Sequence, residues 1–235
     1  MSTSTPNYDA ALAEIDAIHR TKPRKTHPMW ISLMKGELSR KQVAVFLRQF
    51  SIVPLYNHNY HGPLYINCPD ALWRKRMAEV VYEEGAGGLF AGGVPHYQLY
   101  LRVGEAFGIS PAEMYATQFC AGSLAFRAWF ENICRRNFLE GFAALALGAE
   151  AQVPGVSGKV SEIMVKHYGL TPAQAAFYTV HEDADKDHSG GGREFLQTFA
   201  RTEPEVRLAI EAVRGAVEIS WLLYEDIHSQ IKPLA

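Results

Sequence analysis

A segment near residue 185 carries three side chains of the types that bind metal. His181, Asp185 and His188 lie at positions i, i+4 and i+7, a spacing that puts them on one face of an α-helix. Imidazole and carboxylate groups are suitable ligands for iron, manganese and zinc. The segment therefore predicts half of a metal site on a single helix.

Further candidate ligands lie in other segments of the chain. Glu150 follows an apolar run in a predicted helix, where a buried carboxylate is costly unless it is paired, protonated or bound to metal. Glu84 ends another predicted helix, with Glu83 beside it as an alternative ligand, and His96 opens the next helix. Taken singly, each of these residues has an ordinary explanation as a solvated, capping or surface group.

Taken together, the candidate ligands describe a centre for two metal ions. The predicted set is Glu84, His96, Glu150, His181, Asp185 and His188. Its carboxylates supply three negative charges, and two-metal sites hold their ions roughly 3.5–4 Å apart. A lone structural zinc would more often use thiolates, and no two cysteines here have a suitable spacing. The alternative is a solvated, charged helix face around residues 181–188.

The composition is that of an ordinary globular protein. The chain has 235 residues, of which 48% are hydrophobic, and a formal net charge of −2. This length fits a single domain, 1–235, that is large enough to enclose a cavity. A nearly neutral chain offers no broad basic surface for nucleic acid. The most basic short run, residues 22–25, is interpreted as a solvated turn.

The sequence lacks the usual signs of secretion or membrane insertion. No apolar run approaches the roughly 18 residues needed to span a bilayer, and the N-terminus has no apolar signal segment. Cys68, Cys120 and Cys134 are widely spaced, which argues against a disulfide framework. We therefore expect a cytoplasmic protein with no membrane partner.

Helical periodicity dominates the chain, and no alternating run of strand length occurs, so we predict an all-α fold. Proline, glycine and capping residues set the predicted boundaries. The predicted helices cover 8–20, 28–34, 40–65 with a bend or break near residues 54 and 62–63, 70–84, 95–107, a short helix from 110, 120–136, 138–151, one after 154, a long one from 171, and 203–229.

Several motifs resemble the heme-oxygenase-like superfamily, and the likeness covers nearly the whole chain. This superfamily holds the TenA thiaminases, the PQQ-synthesis oxidases of the PqqC type, and di-iron oxidases related to the chlamydial death-domain-associating protein (CADD). The motifs are Lys35-Gly-Glu-Leu38, Asn67-Cys-Pro-Asp70, Tyr82-Glu-Glu-Gly85, Leu101-Arg-Val-Gly-Glu-Ala-Phe-Gly108 and His181-Glu-Asp-Ala-Asp-Lys-Asp-His188.

The di-iron group matches best, because the six candidate ligands follow its Glu, His, Glu, His-x3-Asp-x2-His order. The loop from Gly85 to Pro95 is longer than in the CADD-like members. TenA thiaminases carry a nucleophilic cysteine shortly before the position of Glu150, and residues 144–148 contain none. PqqC-type oxidases work without metal, and a metal-free oxidase of that kind remains an alternative.

The resemblance implies a seven-helix bundle with a di-iron or iron/manganese centre that activates dioxygen. We expect an oxidase or oxygenase for a small amino-acid-derived or aromatic metabolite, with an external electron donor and a homodimeric assembly. The alternative is a CADD-like 4-aminobenzoate synthase for folate synthesis, which consumes one of its own tyrosines and takes nitrogen from a lysine. Trp30 stands at the position of that tyrosine, and Lys159 is near that of the lysine.

The resemblance also places beside the cavity the helix that carries Arg48, Tyr56, Tyr60 and His61. We predict catalytic or binding roles for Arg48, Tyr56 and Tyr60, and for Lys159. Arg48 would hold a substrate carboxylate through a charge-assisted hydrogen bond. Aromatic core packing is the structural alternative for the tyrosines. A non-enzymatic helical interaction protein is a third hypothesis, and it predicts that ligand substitutions leave function intact.

Overall fold

The computed structural model describes the backbone of residues 6–188 and 191–234, and side chains except those of residues 183–188. Within these residues every regular element is helical and no strand occurs, which confirms the predicted all-α fold. The α-helices are α1 (Tyr8–Thr21), α2 (Pro28–Met34), α3 (Arg40–Phe50), α4 (His58–Asn67), α5 (Ala71–Ala86), α6 (His96–Ala106), α7 (Pro111–Tyr115), α8 (Ala121–Arg136), α9 (Phe138–Phe142), α10 (Ser157–Lys166), α11 (Ala176–His188), α12 (Gly192–Phe199) and α13 (Glu203–Ile231).

Local capping chemistry sets the ends of α5, the helix that carries Glu84. Asp70 accepts hydrogen bonds from the amides of Leu72 and Trp73 and so caps the N-terminus. At the other end, Gly87 adopts a left-handed conformation with φ of 66°. A Cβ atom there would overlap the backbone of Val94, so this turn requires glycine.

The predicted break near residue 54 is confirmed, and one predicted long helix is shorter in the structure. The segment 40–65 divides into α3, a 3-10 turn at Pro54–Tyr56 and α4, because Pro54 has no amide hydrogen to continue a helix. The second expected break, near residues 62–63, does not occur, since α4 continues through Pro63. The helix predicted from residue 171 begins instead at Ala176. Owing to such divisions, the described residues form more than the seven helical segments that the resemblance implies.

The predicted helix 138–151 also changes its winding. After α9 the chain continues as a π-helix over Ala143–Ala149 and then as a 3-10 turn over Glu150–Gln152. Gly148 lets this segment approach α13 closely, since a Cβ atom there would lie 2.6 Å from that of Ala216. Short π-helical turns recur at functional sites, and this one places Glu150 at its end.

Helix α13 is the centre of the bundle. Its buried residues, such as Ile210, Val213 and Leu223, belong to a hydrophobic core that draws on nearly all the other helices. The π-helix and α8 pack against it most extensively. No helix in the described ranges is long and apolar enough to cross a membrane.

Candidate metal centre

Three of the predicted ligands converge from three helices. Glu84 lies near the end of α5, His96 at the start of α6, and His181 in α11, and one ligand atom of each lies within 4.8 Å of the others. Oε2 of Glu84 is 3.1 Å from Nδ1 of His96, and Oε1 of Glu84 is 4.0 Å from Nε2 of His181. Glu84 and His181, almost 100 positions apart in sequence, thus direct ligand atoms toward the same point in space.

Apart from its contact with Glu84, the imidazole of His96 and that of His181 each make a hydrogen bond that orients the ring. His181 donates from Nδ1 to the carbonyl oxygen of Phe177 at 2.8 Å, which leaves Nε2 as the atom that faces Glu84. Nε2 of His96 is 3.0 Å from Oε1 of Glu83, and a carboxylate only accepts, so that nitrogen carries the hydrogen. Metal-binding histidines are commonly held by such carboxylate or carbonyl partners.

Glu83 and Glu84 have different roles in this geometry. The Glu83 carboxylate is almost fully buried and accepts backbone hydrogen bonds from Leu89 at 2.6 Å, Phe90 at 3.1 Å and Ala91 at 3.0 Å. Glu84 instead faces the two imidazoles and accepts a hydrogen bond from Asn57. The geometry therefore favours Glu84 as the metal ligand and Glu83 as the group that orients His96.

Glu150 adjoins this group together with a histidine that was not among the predicted ligands. Nε2 of His61 lies 3.2 Å from Oε1 of Glu150. Burial lowers the pKa of His61, but the bond to Glu150 and the charges of Glu150 and Glu84 outweigh burial, so the pKa is raised. The only sequence signal for His61 was its place on the helix expected to border the cavity.

The electrostatics keep Glu84 ionised and His181 neutral at ordinary pH. Burial alone would raise the pKa of Glu84. The imidazole of His96, followed by those of His61 and His181, outweighs burial and lowers that pKa to about 2. The pKa of His181 is lowered, chiefly by its own burial. An ionised carboxylate and a neutral imidazole are the forms that bind metal.

The donor set fits a divalent transition metal. Two ligands at right angles, each about 2.1 Å from a cation, lie about 3 Å apart, close to the separation of Glu84 Oε2 and His96 Nδ1. That Nδ1 atom is buried and faces the Glu84 carboxylate. Burial lowers the pKa of His96, but Glu84 and Glu83 outweigh burial and raise it, so a cation bound at Nδ1 would replace a proton there. The side chains of Asp185 and His188 lie outside the described residues, although α11 extends to His188.

A cavity of about 410 Å³ adjoins the three converging ligands and Glu150. Its walls are mainly aromatic and aliphatic side chains, including Trp30, Phe50, Tyr60, Phe126, Phe177 and Tyr178. This volume lies within the range of small-molecule sites. The arrangement can hold a small apolar molecule directly beside the candidate metal ligands.

Of the four predicted catalytic residues, the structure brings only Tyr60 to this cavity, and its hydroxyl donates to the carbonyl of Ile52. Arg48 lies at the surface, 3.3 Å from Glu113. Tyr56 packs beneath the guanidinium of Arg127. These positions correct the expected placement of both residues. Arg48 lies on the side of α3 that faces Glu113, whereas Tyr56 lies in the turn that separates α3 from α4.

Lys159 is also directed away from the cavity. It lies on the exposed side of α10, where its amino group pairs with Glu162 at 2.6 Å. Since neighbouring residues on a helix project about 100° apart, Lys159 and the cavity-lining Ser157 point in different directions. The structure therefore does not bring Lys159 to the site.

Arg24 is a cavity residue that the sequence analysis missed. It lines the cavity, donates to the carbonyl of Ala149 at 3.0 Å, and lies 5.7 Å from the ring centres of Trp30 and Tyr224. Its Nε atom is buried without a hydrogen-bond partner, and no carboxylate pairs with it among the described side chains. Its place in a basic turn suggested solvation, and no local signal indicated burial.

Comparison with known proteins identifies chains that are similar over most of the length. A family model described as iron-containing redox enzyme matches residues 44–222. A 4-aminobenzoate synthase of Chlamydia muridarum is 25% identical over 94% of this chain and 90% of its own, and one of Nitrosomonas europaea is 25% identical over 92% and 89%.

Solved structures with the same fold include a TenA homologue and a CADD-like protein. The TenA homologue, from Pseudomonas syringae, has a TM-score of 0.78 at 11% identity and covers 96% of this chain and 94% of its own. The CADD-like protein, from Nostoc punctiforme, has a TM-score of 0.72 at 16% identity and covers 95% and 97%. At these identities the likeness concerns the fold.

The geometry predicts that Glu84→Gln weakens Fe(II) binding at least about tenfold, because the substitution removes a ligand charge from a buried site. Anaerobic equilibrium dialysis with metal analysis measures the affinity. Glu105→Gln makes the same chemical change on the exposed side of α6 and should bind as the wild type does. Equal affinity in both variants would contradict the proposed ligand role.

Proposed function

The chain belongs to the iron-containing redox enzymes with a heme-oxygenase-like fold, and on that premise we propose that it is a dinuclear-iron oxidase or oxygenase that uses dioxygen. The observation that carries the proposal is the convergence of Glu84, His96 and His181 on one point beside the cavity. A solvated helix face would not bury these groups together.

Six residues would hold the two ions, either both iron or one iron and one manganese. They are Glu84, His96, Glu150, His181, Asp185 and His188. When bound, two ferrous ions supply electrons for the reduction of dioxygen. A homodimer and an external electron donor complete the proposal, and both come from the resemblance to the di-iron oxidases.

The protein's own residues would prepare the site for this chemistry. Glu84 is ionised and contributes negative charge, while Glu83 and the Phe177 carbonyl fix the rings of His96 and His181. His61 and Glu150 share a proton across 3.2 Å and so can hold or release one beside the cavity. The aromatic walls exclude water from the reacting groups.

The cavity suits a small acidic metabolite with an apolar or aromatic body. Aromatic side chains make up much of the wall, and Arg24 is a half-buried cation with no paired carboxylate among the described residues. A guanidinium binds a carboxylate through charge-assisted hydrogen bonds. Arg24 would therefore take the role that the sequence analysis gave to Arg48.

The direct test is anaerobic loading with Fe(II), followed by metal analysis and measurement of oxygen uptake. We expect about two ions per chain, as two-metal chemistry requires, and faster oxygen consumption than the same Fe(II) in buffer. Glu84→Gln should lose both properties, whereas Glu105→Gln should keep them. Wild-type protein that retains no iron would overturn the proposal.

A second candidate function is 4-aminobenzoate synthesis, which is favoured by the similarity to synthases along most of the chain. Two positions weigh against it. Trp30 replaces the tyrosine that the resemblance identifies as the consumed residue, and Lys159 pairs with Glu162 at the surface. Tyr178 does offer a buried phenol at the cavity, and its hydroxyl makes no hydrogen bond to any described residue.

Growth of a 4-aminobenzoate auxotroph distinguishes the two functions. Because Trp30 cannot supply a phenol ring, we expect the gene to give no rescue, while a chlamydial synthase in the same vector serves as the positive control. Rescue by the wild-type chain would establish the second function. Rescue only by Trp30→Tyr would show that the missing tyrosine is the sole barrier.

The carboxylate site is tested with 4-hydroxyphenylacetate as the probe, by isothermal titration calorimetry on the intact protein. Arg24→Met should weaken binding by about tenfold or more, because a charge-assisted hydrogen bond is lost. Arg48→Met should leave the affinity unchanged, since Arg48 pairs with Glu113 away from the cavity. Equal losses in both variants would argue against a specific site.

A further inference from the structure

The loop between α5 and α6 is a compact, glycine-rich segment. Its glycines Gly87, Gly92 and Gly93 have positive φ angles of 66°, 62° and 81°. The two ends meet where the amide of Gly93 donates to the carbonyl of Gly87 at 2.7 Å. Because a hydrogen bond joins its two ends and glycines at each end allow the backbone to rotate, this loop can move as a unit.

The tip of this loop forms part of the cavity wall. Leu89 and Phe90 line the cavity together with Glu84 and His96, yet they are 50% and 58% exposed. Large apolar side chains at the mouth of an apolar cavity gain from contact with a bound molecule, because that contact removes their surface from water. The loop tip is therefore placed to cover the cavity.

One carboxylate holds the loop in this position. Glu83 accepts from the successive amides of residues 89–91 and also from Nε2 of His96. Movement of the loop away from α5 would remove the three amide donors. A buried carboxylate would then be left with most of its hydrogen bonds unmade, which is unfavourable. The closed loop is therefore stabilised by Glu83.

The same carboxylate touches the candidate metal ligand. His96 faces Glu83 with Nε2 and Glu84 with Nδ1. A cation on Nδ1 would polarise the N–H group at Nε2 and strengthen its bond to Glu83. A firmly held Glu83 would in turn fix the ring in the orientation that binds the cation. Such coupling is reciprocal by thermodynamic necessity.

We propose that residues 87–93 are a lid over the substrate cavity, and that Glu83 is a positioning residue that couples closure of this lid to metal binding at His96. The metal half of this inference rests on the proposed function. Closure places Leu89 and Phe90 against the substrate and shields the reacting groups from water. A metal-free chain would hold its lid less firmly.

Hydrogen exchange of the full chain tests the lid, with wild type, Glu83→Gln and Glu105→Gln compared under anaerobic conditions. Without metal, Glu83→Gln should speed exchange of the amides of residues 89–91 by at least about fivefold, because the neutral amide accepts fewer of the converging bonds. Fe(II) should slow these amides in wild type and in Glu105→Gln, but much less in Glu83→Gln.

A second variant changes the lid without touching Glu83 or His96. Gly93→Ala introduces backbone strain at a φ of 81°, in a place where the new methyl group meets no other atom. It should speed exchange at residues 89–91 and also weaken Fe(II) binding several-fold. A faster-exchanging loop with unchanged Fe(II) affinity would overturn the coupling. Circular dichroism and thermal melting confirm that each variant is folded.

Failure of this inference is separable from failure of the proposed function. If wild-type protein binds no Fe(II), the proposed function fails, and the metal-free comparison of wild type with Glu83→Gln still decides whether Glu83 holds the lid. If Fe(II) binds but leaves exchange at residues 89–91 unchanged, the coupling is wrong. Unchanged exchange in metal-free Glu83→Gln would overturn the lid itself.

Discussion

Partly buried carboxylates beside buried imidazoles are the constraint on which this protein depends. Within the described residues, Glu84 lies against His96, and Glu150 lies against His61. Negative charge inside a helical core is unfavourable unless cations or hydrogen bonds compensate it. The imidazoles supply part of that compensation, and a bound divalent metal would supply the rest. Negative charge in the core lowers the stability of the fold, which brings no benefit to a purely structural protein. In a redox enzyme the same carboxylates can bind the metal.

The helices around the site act as separate supports for these side chains. Glu84, His96 and His181 come from α5, α6 and α11, so a shift of any one helix would separate the ligands. Glu83 adds a link that the helices alone would not provide, because it joins α5 to the loop and to α6 at once. The ligand geometry and the cavity wall thus share one hydrogen-bonded centre.

Sequence reasoning succeeded where the signal was local. The caps at Asp70 and Ser110 predicted the starts of two helices correctly, whereas α5 continues to Ala86, past its predicted end at residue 84. The order of acidic and histidine residues along the chain predicted that Glu84, His96 and His181 would meet. These features depend on a few neighbouring residues or on a pattern shared with a family, and both can be read from the chain.

Features that depend on packing between distant segments were not predictable in this way. Nothing near Arg24 indicates that it packs against the rings of Trp30 and Tyr224. The position of Tyr56 follows from how the turn after α3 packs, and the pairing of His61 with Glu150 joins residues 89 positions apart. Side-chain direction in such turns is decided by the tertiary structure.

The π-helix before Glu150 has a consequence for how this site tolerates deletions. Each residue of an α-helix turns the next by about 100°, so the wider winding of a π-helix changes the direction in which the side chain at its end projects. Deletion of a single residue from 143–149 would restore ordinary winding and rotate the Glu150 carboxylate away from the cavity. The site would then lose this carboxylate although every acidic and histidine residue is still present in the sequence.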